Sequence, residues 1–138
     1  MSPGFGLLNG TLSMEEQQLS VFCLPIRVYY EDTDAGGVVY HSTYLNFMER
    51  ARTEWMFARG INLNTYALTD QKMFVVKSIQ VDYKKPAILC DDLVVKTVIQ
   101  KVTATRVYFE QLIYRNDELL VSGLVELVCL NTETRRPV

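Results

Sequence analysis

The chain has 138 residues, 49% of them apolar and 22% charged, with a formal net charge of −2. This length and composition are typical of one globular domain with its own core, and the slightly acidic balance argues against a nucleic-acid binder. No apolar run reaches the roughly 20 residues that span a bilayer. Because no Lys or Arg precedes Arg27, a secretory signal peptide is not expected.

The three cysteines are Cys23, Cys90 and Cys129, an odd number, and they lie far apart within apolar segments. This pattern predicts buried, reduced thiols, and therefore a protein of the reducing cytoplasm. With one histidine and no CxxC motif, no structural zinc site is expected.

Residues 1–20 are rich in Gly, Ser and Gln and have no hydrophobic period, which predicts a flexible N-terminal leader before one domain over residues 21–138. A first strand is predicted over residues 21–30, and Pro25 near its start indicates an edge position. Alternation along this strand places three side chains on one face, namely Ile26, Val28 and Tyr30.

One long helix is predicted from Ser42 or Thr43 to Arg59, with Ser42 as a candidate N-cap and Gly60 as the stop. Apolar side chains recur there at three- and four-residue steps and form a single stripe. The stripe consists of Tyr44, Phe47, Met48, Ala51, Trp55 and Ala58.

Four strand-like runs follow the helix, over residues 73–83, 93–102, 105–114 and 118–130. In the first run, one face is predicted to carry Met73, Val75, Ile79, Val81 and Tyr83. The polar segment Arg115-Asn116-Asp117 predicts a hairpin between the last two runs. The last run is apolar on nearly both faces and is expected to be central. One long helix against one antiparallel sheet is an α+β arrangement.

The residues best suited to chemistry lie between the first strand and the helix. Asp32 and Asp34 precede the turn Ala35-Gly36-Gly37, and the one histidine, His41, stands where the helix begins. A carboxylate beside the free N–H groups of a helix N-terminus can attack a carbonyl, or activate water against it, while those groups hold the oxyanion. The alternative reading is that both aspartates only cap the turn or the helix.

The segment Tyr30–His41, YEDTDAGGVVYH, resembles the signature of the 4-hydroxybenzoyl-CoA thioesterase class of hotdog-fold proteins. Its continuation from Tyr44 to Arg52 is similar to the YbgC branch, acyl-CoA thioesterases associated with the Tol-Pal cell-envelope system of Gram-negative bacteria. The resemblance includes Val81-Asp82-Tyr83 before Lys84-Lys85-Pro86 and the closing strand.

This resemblance implies a hotdog fold, in which a curved antiparallel five-stranded sheet wraps around one long helix. It also implies subunits that pair through sheet edges into dimers and often tetramers, with active sites at the interface. The implied reaction is hydrolysis of acyl-CoA to free acid and coenzyme A. No metal or separate cofactor is expected, because coenzyme A is part of the substrate.

Carried over residue by residue, the catalytic carboxylate of the family falls on Asp34, as nucleophile or as general base. The backbone N–H that polarises the thioester carbonyl falls on His41, with Tyr40 beside it. The side chains of Tyr30 and His41 are implicated as well.

For substrate binding, Gly36 and Gly37 permit a tight turn and a close approach of the substrate to the backbone. Lys84, Lys85 and Arg106 are candidate contacts for the phosphates of coenzyme A, although each of these charges, taken alone, is more often an ordinary solvated one.

Two other functions remain open at this stage. A non-catalytic module could bind acyl-CoA or an acyl carrier protein in lipid or envelope metabolism, although such a module would be expected to lose Asp34. A hotdog dehydratase would need a histidine and a carboxylate across the pocket rather than Asp34 in the turn.

Overall fold

We describe a computed structural model of the chain over Gly10–Thr11 and residues 21–138. Apart from Gly10–Thr11, the predicted N-terminal leader lies outside these described residues. The elements are β1 Gly10–Thr11, β2 Phe22–Arg27, α1 Thr43–Ala58, α2 Leu63–Thr69, β3 Lys72–Tyr83, β4 Asp92–Val102, β5 Arg106–Arg115 and β6 Glu118–Asn131. A short 3-10 turn, Tyr30–Asp32, lies between β2 and α1.

The strands form one antiparallel sheet in the order β1-β4-β5-β6-β3, and β2 pairs with β4 beside β1. Strand β6 lies between β5 and β3, which confirms its predicted central position. Pro25 lies on the edge strand β2, as predicted. The five strands β2–β6 and the long helix confirm the predicted α+β hotdog architecture.

Helix α1 packs on one face of the sheet, and its buried stripe divides into two apolar clusters. Tyr44, Phe47 and Met48 belong to the first cluster, beside the start of the helix. Trp55 and Met56 belong to the second, in which the Trp55 ring meets strand β5. The core therefore extends along the whole helix, and the helix start lies against the first cluster only.

The predicted stripe is wrong at three positions. Ala58 is exposed, whereas Met56 and the charged Arg52, which the stripe left out, are buried. The Arg52 Nη1 donates to Gln111 Oε1 over 2.8 Å, and Gln111 Nε2 donates to the Met48 carbonyl and to Thr97 Oγ1, both over 2.9 Å. Burial lowers the pKa of the Arg52 guanidinium. This polar network ties α1 to β4 and β5 inside an otherwise apolar layer.

The helix ends as its sequence indicates. Gly60 adopts φ +79°, which a residue with a side chain rarely adopts, and its N–H donates to Phe57 O. The Ile61 N–H donates to Met56 O, which completes a Schellman motif. At the other end Ser42 occupies the N-cap position, but its side chain makes no capping hydrogen bond.

Three further expectations about the elements are corrected. The first strand ends at Arg27, because the chain turns into the Tyr30–Asp32 segment and leaves Tyr30 81% exposed. Helix α2 was not predicted, since seven residues are too few to show a period. In β3 the register shifts between Val76 and Ser78, so one face does not continue along the whole strand.

The consequence of the shift is visible in the core contacts of β3. Phe74 packs against the second cluster and Val81 against the first, although the two lie an odd number of residues apart. A regular strand would place them on opposite faces, so the predicted single face through Met73 and Val75 is wrong in the first half of β3.

All three cysteines are free thiols. Cys129 is buried, and burial raises its pKa, whereas Cys23 and Cys90 are exposed. The prediction of three buried thiols is therefore wrong for these two. Neither helix of the described part of the chain is long and apolar enough to cross a membrane.

Candidate active site

A pocket of about 360 Å³ opens between the start of α1, the turn before it and the end of β3. The pocket brings together five residues that the sequence singled out, namely Asp34, Tyr40, His41, Lys84 and Lys85. Two tyrosines complete its aromatic walls, Tyr44 on α1 and Tyr83 at the end of β3.

Asp34 is exposed and sits at the mouth of a tight turn. Its Oδ1 accepts the Gly36 N–H over 2.8 Å, and its carbonyl accepts the Gly37 N–H over 3.1 Å. Gly37 adopts φ +80°, which explains the glycine there, and a Cβ on Gly36 would approach Asp34 Oδ1 to 3.3 Å. The turn-capping role is thus present, but within the described residues it engages only one of the two carboxylate oxygens.

Asp32 has the opposite environment. It is buried, its Oδ2 accepts the Tyr29 N–H over 2.9 Å, and its carbonyl accepts the Tyr40 N–H over 3.3 Å. Asp32 therefore fixes the 3-10 turn and does not line the pocket.

Tyr40 and His41, which precede α1 and line the pocket, differ in the use of their backbone N–H groups. The Tyr40 N–H is used by the Asp32 carbonyl, whereas the His41 N–H makes no hydrogen bond within the described part of the chain. The Tyr40 carbonyl accepts the Thr43 N–H over 2.8 Å, so the peptide that carries the His41 N–H is held in place. The His41 ring stacks on the Tyr40 ring at 4.4 Å between centroids.

The Tyr44 side chain closes the inner side of the pocket. It is buried, and its hydroxyl oxygen accepts the Ala87 N–H over 2.9 Å. Burial raises the pKa of this hydroxyl above its usual value, so it stays protonated at neutral pH. This wall is therefore rigid and uncharged.

The opposite wall, Lys84–Pro86, belongs to the β3–β4 loop and is fastened by Arg115. The Arg115 guanidinium binds Asp91 over 2.7 Å and Glu118 over 2.6 Å, and Glu118 also holds the Lys85 ammonium at 2.6 Å. These two cations, Lys85 first, lower the pKa of Glu118. Sequence reasoning missed this role of Arg115, because Asp91 lies 24 residues from Arg115 in the chain and Lys85 lies 33 residues from Glu118.

Two of the predicted site side chains, those of Tyr30 and Arg106, lie away from the pocket. Tyr30 points into solvent from the 3-10 turn and does not line the pocket. Arg106, at the start of β5, forms an ion pair with Glu126 on the sheet. Lys84 does line the pocket and is paired with Asp82 at 2.9 Å.

Known proteins with similar sequences belong to one family of thioesterases. A family profile described as Thioesterase superfamily matches residues 36–122. The acyl-CoA thioesterase YbgC of Haemophilus influenzae is 44% identical over 117 residues, which are 85% of this chain and 86% of that protein. The chain belongs to the YbgC branch of the thioesterase superfamily. The acyl-CoA thioester hydrolase YbgC of an Escherichia coli strain is 41% identical over 120 residues, covering 86% of this chain and 88% of that protein.

The fold of this YbgC-type chain also matches solved structures. A probable thioesterase from Bartonella henselae superimposes with a TM-score of 0.81 at 34% identity, covering 86% of this chain and 97% of that one. The region matched by the family profile includes the start of α1 and both pocket lysines, and it begins two residues after Asp34. Among the described residues, no group of three or more His, Cys, Asp or Glu side chains could hold a metal ion.

Proposed function

We propose that this YbgC-type chain hydrolyses acyl-CoA thioesters to free acid and coenzyme A, with Asp34 as the catalytic carboxylate. The observation that carries the proposal is that Asp34 and His41 line one pocket, where one Asp34 oxygen and the His41 N–H make no hydrogen bond within the described residues. The names of the relatives, acyl-CoA thioesterase and acyl-CoA thioester hydrolase, support the same reaction.

In the proposed reaction the thioester carbonyl oxygen accepts the His41 N–H, where the positive end of the α1 dipole also favours developing negative charge. The Tyr40 N–H contributes less than the family pattern implies, because the Asp32 carbonyl already occupies it.

Thioester hydrolysis can follow either of two routes from this arrangement. In the first, an Asp34 oxygen attacks the carbonyl carbon, the C–S bond breaks, and water then hydrolyses the mixed anhydride. In the second, Asp34 takes a proton from water, the hydroxide adds to the carbonyl carbon, and the departing thiolate receives that proton. The exposed position of Asp34 gives both the carbonyl carbon and a water access to its Oδ2.

Lys84 and Lys85 are the proposed contacts for the phosphates of coenzyme A. Both ammonium groups are already paired with carboxylates, but their side chains are exposed, so a phosphate can replace the carboxylate at small cost. Tyr30 and Arg106 do not line the pocket of their own chain. They could contact substrate only in the pocket of a second copy.

A second copy is itself part of the proposal. Strand β3 pairs only with β6 among the described residues, so its other edge is free along a strand of 12 residues. Val76 and Ile79 are exposed on this strand, and a long apolar free edge is normally covered in a stable protein. We propose that two copies pair through β3 and that such dimers assemble further into tetramers in the cytoplasm, where free thiols are stable.

The test compares thiol release from a panel of acyl-CoAs by the wild type and by Asp34→Asn. Asparagine retains an oxygen that can accept the Gly36 N–H, so the turn is preserved while the charge is lost. We expect a loss of about 10²-fold or more in kcat. Asp92→Asn, which removes an exposed carboxylate paired with Arg27 away from the pocket, is the matched control and should leave the rate unchanged.

The alternative function is a non-catalytic module that binds acyl-CoA or an acyl carrier protein. The observation that favours it is the hydrogen bond from Gly36 to Asp34, which gives the aspartate a purely structural use. Equal, low thiol release by wild type and Asp34→Asn, with unchanged acyl-CoA binding, would overturn the enzyme proposal and leave this one.

A further inference from the structure

Tyr83 links the free edge of the sheet to the start of α1. It is the last residue of β3, and its hydroxyl donates to the His41 carbonyl oxygen over 2.9 Å. Its ring meets the His41 ring edge-on at 6.1 Å between centroids and tilts against the Tyr44 ring at 5.7 Å. One side chain therefore touches His41 through the backbone and through the ring.

This contact differs from the hydrogen bonds made by the turn and by Tyr40. The Tyr40 N–H, the Tyr40 carbonyl and the Asp34 carboxylate are all held by groups within eight residues along the chain. The hydrogen bond of Tyr83 comes from 42 residues away. Within the described residues, it is the side-chain hydrogen bond that ties the His41 backbone to the sheet.

The carbonyl that Tyr83 holds belongs to the same residue as the proposed oxyanion donor. The His41 N–H and carbonyl lie on either side of one Cα: the hydrogen bond between Thr43 and the Tyr40 carbonyl holds the N–H side, and the Tyr83 hydroxyl holds the carbonyl side. Loss of the Tyr83 hydrogen bond would leave His41 anchored on one side only. Oxyanion stabilisation depends on donors held at about 2.7–3.1 Å from the developing charge. Freedom at His41 would therefore weaken the transition state more than the ground state.

We infer that Tyr83 is a positioning residue for the thioester-cleaving site: its hydroxyl fixes His41 so that the His41 N–H points at the thioester oxygen. This inference rests on the proposed function of the pocket. Tyr83 does not transfer a proton in this scheme, since its hydroxyl is directed at a backbone carbonyl.

The experiment compares Tyr83→Phe with the wild type and with Tyr66→Phe. Phenylalanine keeps the ring contacts and removes only the hydroxyl. Tyr66, on α2, stacks on Phe74 away from the pocket and serves as the control, which should retain wild-type kinetics. The measurements are kcat and KM for a turned-over acyl-CoA across pH, the fraction folded at the assay temperature, and the backbone amide resonance of His41.

For Tyr83→Phe we expect kcat to fall about tenfold, KM to change less than about threefold, and the pH profile to keep its shape. The His41 amide resonance should shift, while the protein remains folded. If kcat stays within about twofold of wild type, or falls only in proportion to the folded fraction, the inference is wrong. It is also wrong if the alkaline limb of the profile disappears, which would make the hydroxyl a proton donor.

The proposed function and this inference fail in different ways. If the wild type releases no thiol from any acyl-CoA, the function is wrong; the His41 amide shift alone then reports whether Tyr83 holds the helix start. If the wild type is active and Tyr83→Phe is equally active, the function stands and the positioning role is wrong.

Discussion

Asp32 and Asp34 are two residues apart and use their carboxylates differently. Asp32 is buried and its side chain accepts a backbone N–H, so it is a fixed acceptor of the fold. Asp34 is exposed and caps its turn with one oxygen only. Because a carboxylate that contacts substrate needs a free lone pair in the pocket, Asp34 rather than Asp32 is the proposed catalytic carboxylate.

At the same scale, the three thiols should react at different rates. Cys23 and Cys90 are exposed, whereas Cys129 is buried and its raised pKa leaves less reactive thiolate. With a disulfide reagent in excess at pH 8, we expect two thiols to react within minutes and the third only after unfolding in denaturant. A count of released chromophore checks this, and a variant with Cys129→Ser should show no third phase. Three fast thiols in the folded protein would contradict the burial of Cys129.

The polar network of Arg52 and Gln111 joins α1 to the sheet. The Arg52 guanidinium is buried against the neutral amide of Gln111, and burial is the main cause that lowers the Arg52 pKa. A buried cation with a partner contributes little net stability, but a buried cation whose partner is removed is costly.

We therefore predict that Gln111→Leu destabilises the protein by about 3 kcal/mol, because it leaves the guanidinium without its acceptor. The double variant Arg52→Met with Gln111→Leu should recover most of this loss, since it removes both polar groups together. Thr97→Val, which removes only one acceptor of Gln111, should cost about 1 kcal/mol. Urea unfolding at one fixed protein concentration measures all three. A double variant no more stable than Gln111→Leu would show that the two side chains are not coupled.

The elements that sequence reasoning found are those with a long, regular pattern. Strands β3 to β6 and α1 each span ten or more residues and were all predicted, whereas α2 is shorter than two helical turns and was missed. In β3 only the predicted face was wrong, because the strand changes face at its bulge. The burial of Arg52 was not predicted, because periodicity places only apolar side chains in the core. A long polar side chain can also be buried when an acceptor such as Gln111 faces it.

The candidate site follows the same division. Asp34 and His41 could be selected from the sequence, because the turn and the helix start place them near each other locally. Tyr83 and Arg115 could not, because each acts on a segment that only the sheet topology brings near. Residues whose role depends on a neighbour distant in sequence give no local signal.

The free edge of β3 predicts that the protein is an oligomer built from dimers. Light scattering on the wild type should give a dimer or a multiple of it, because the proposed second copy would cover the exposed apolar edge. Val76→Lys, which places a charge at a 48% exposed position of this edge, should weaken the association by about 10²-fold or more.

The matched control for that substitution is Val21→Lys, at a similarly exposed position before the opposite edge strand β2. It should leave the oligomer intact, and circular dichroism should show both variants folded. A monomeric wild type, or a folded Val76→Lys variant with the wild-type mass, would contradict pairing through β3.

The position of the sole tryptophan allows unfolding to be followed separately from ligand binding. Trp55 is fully buried, its ring meets Phe109 edge-on at 5.4 Å, and it belongs to the cluster that the pocket does not touch. Its fluorescence therefore reports the opening of the far half of the core. A ligand seated beside Tyr44 leaves that emission nearly unchanged, so one optical signal distinguishes unfolding from occupancy of the site.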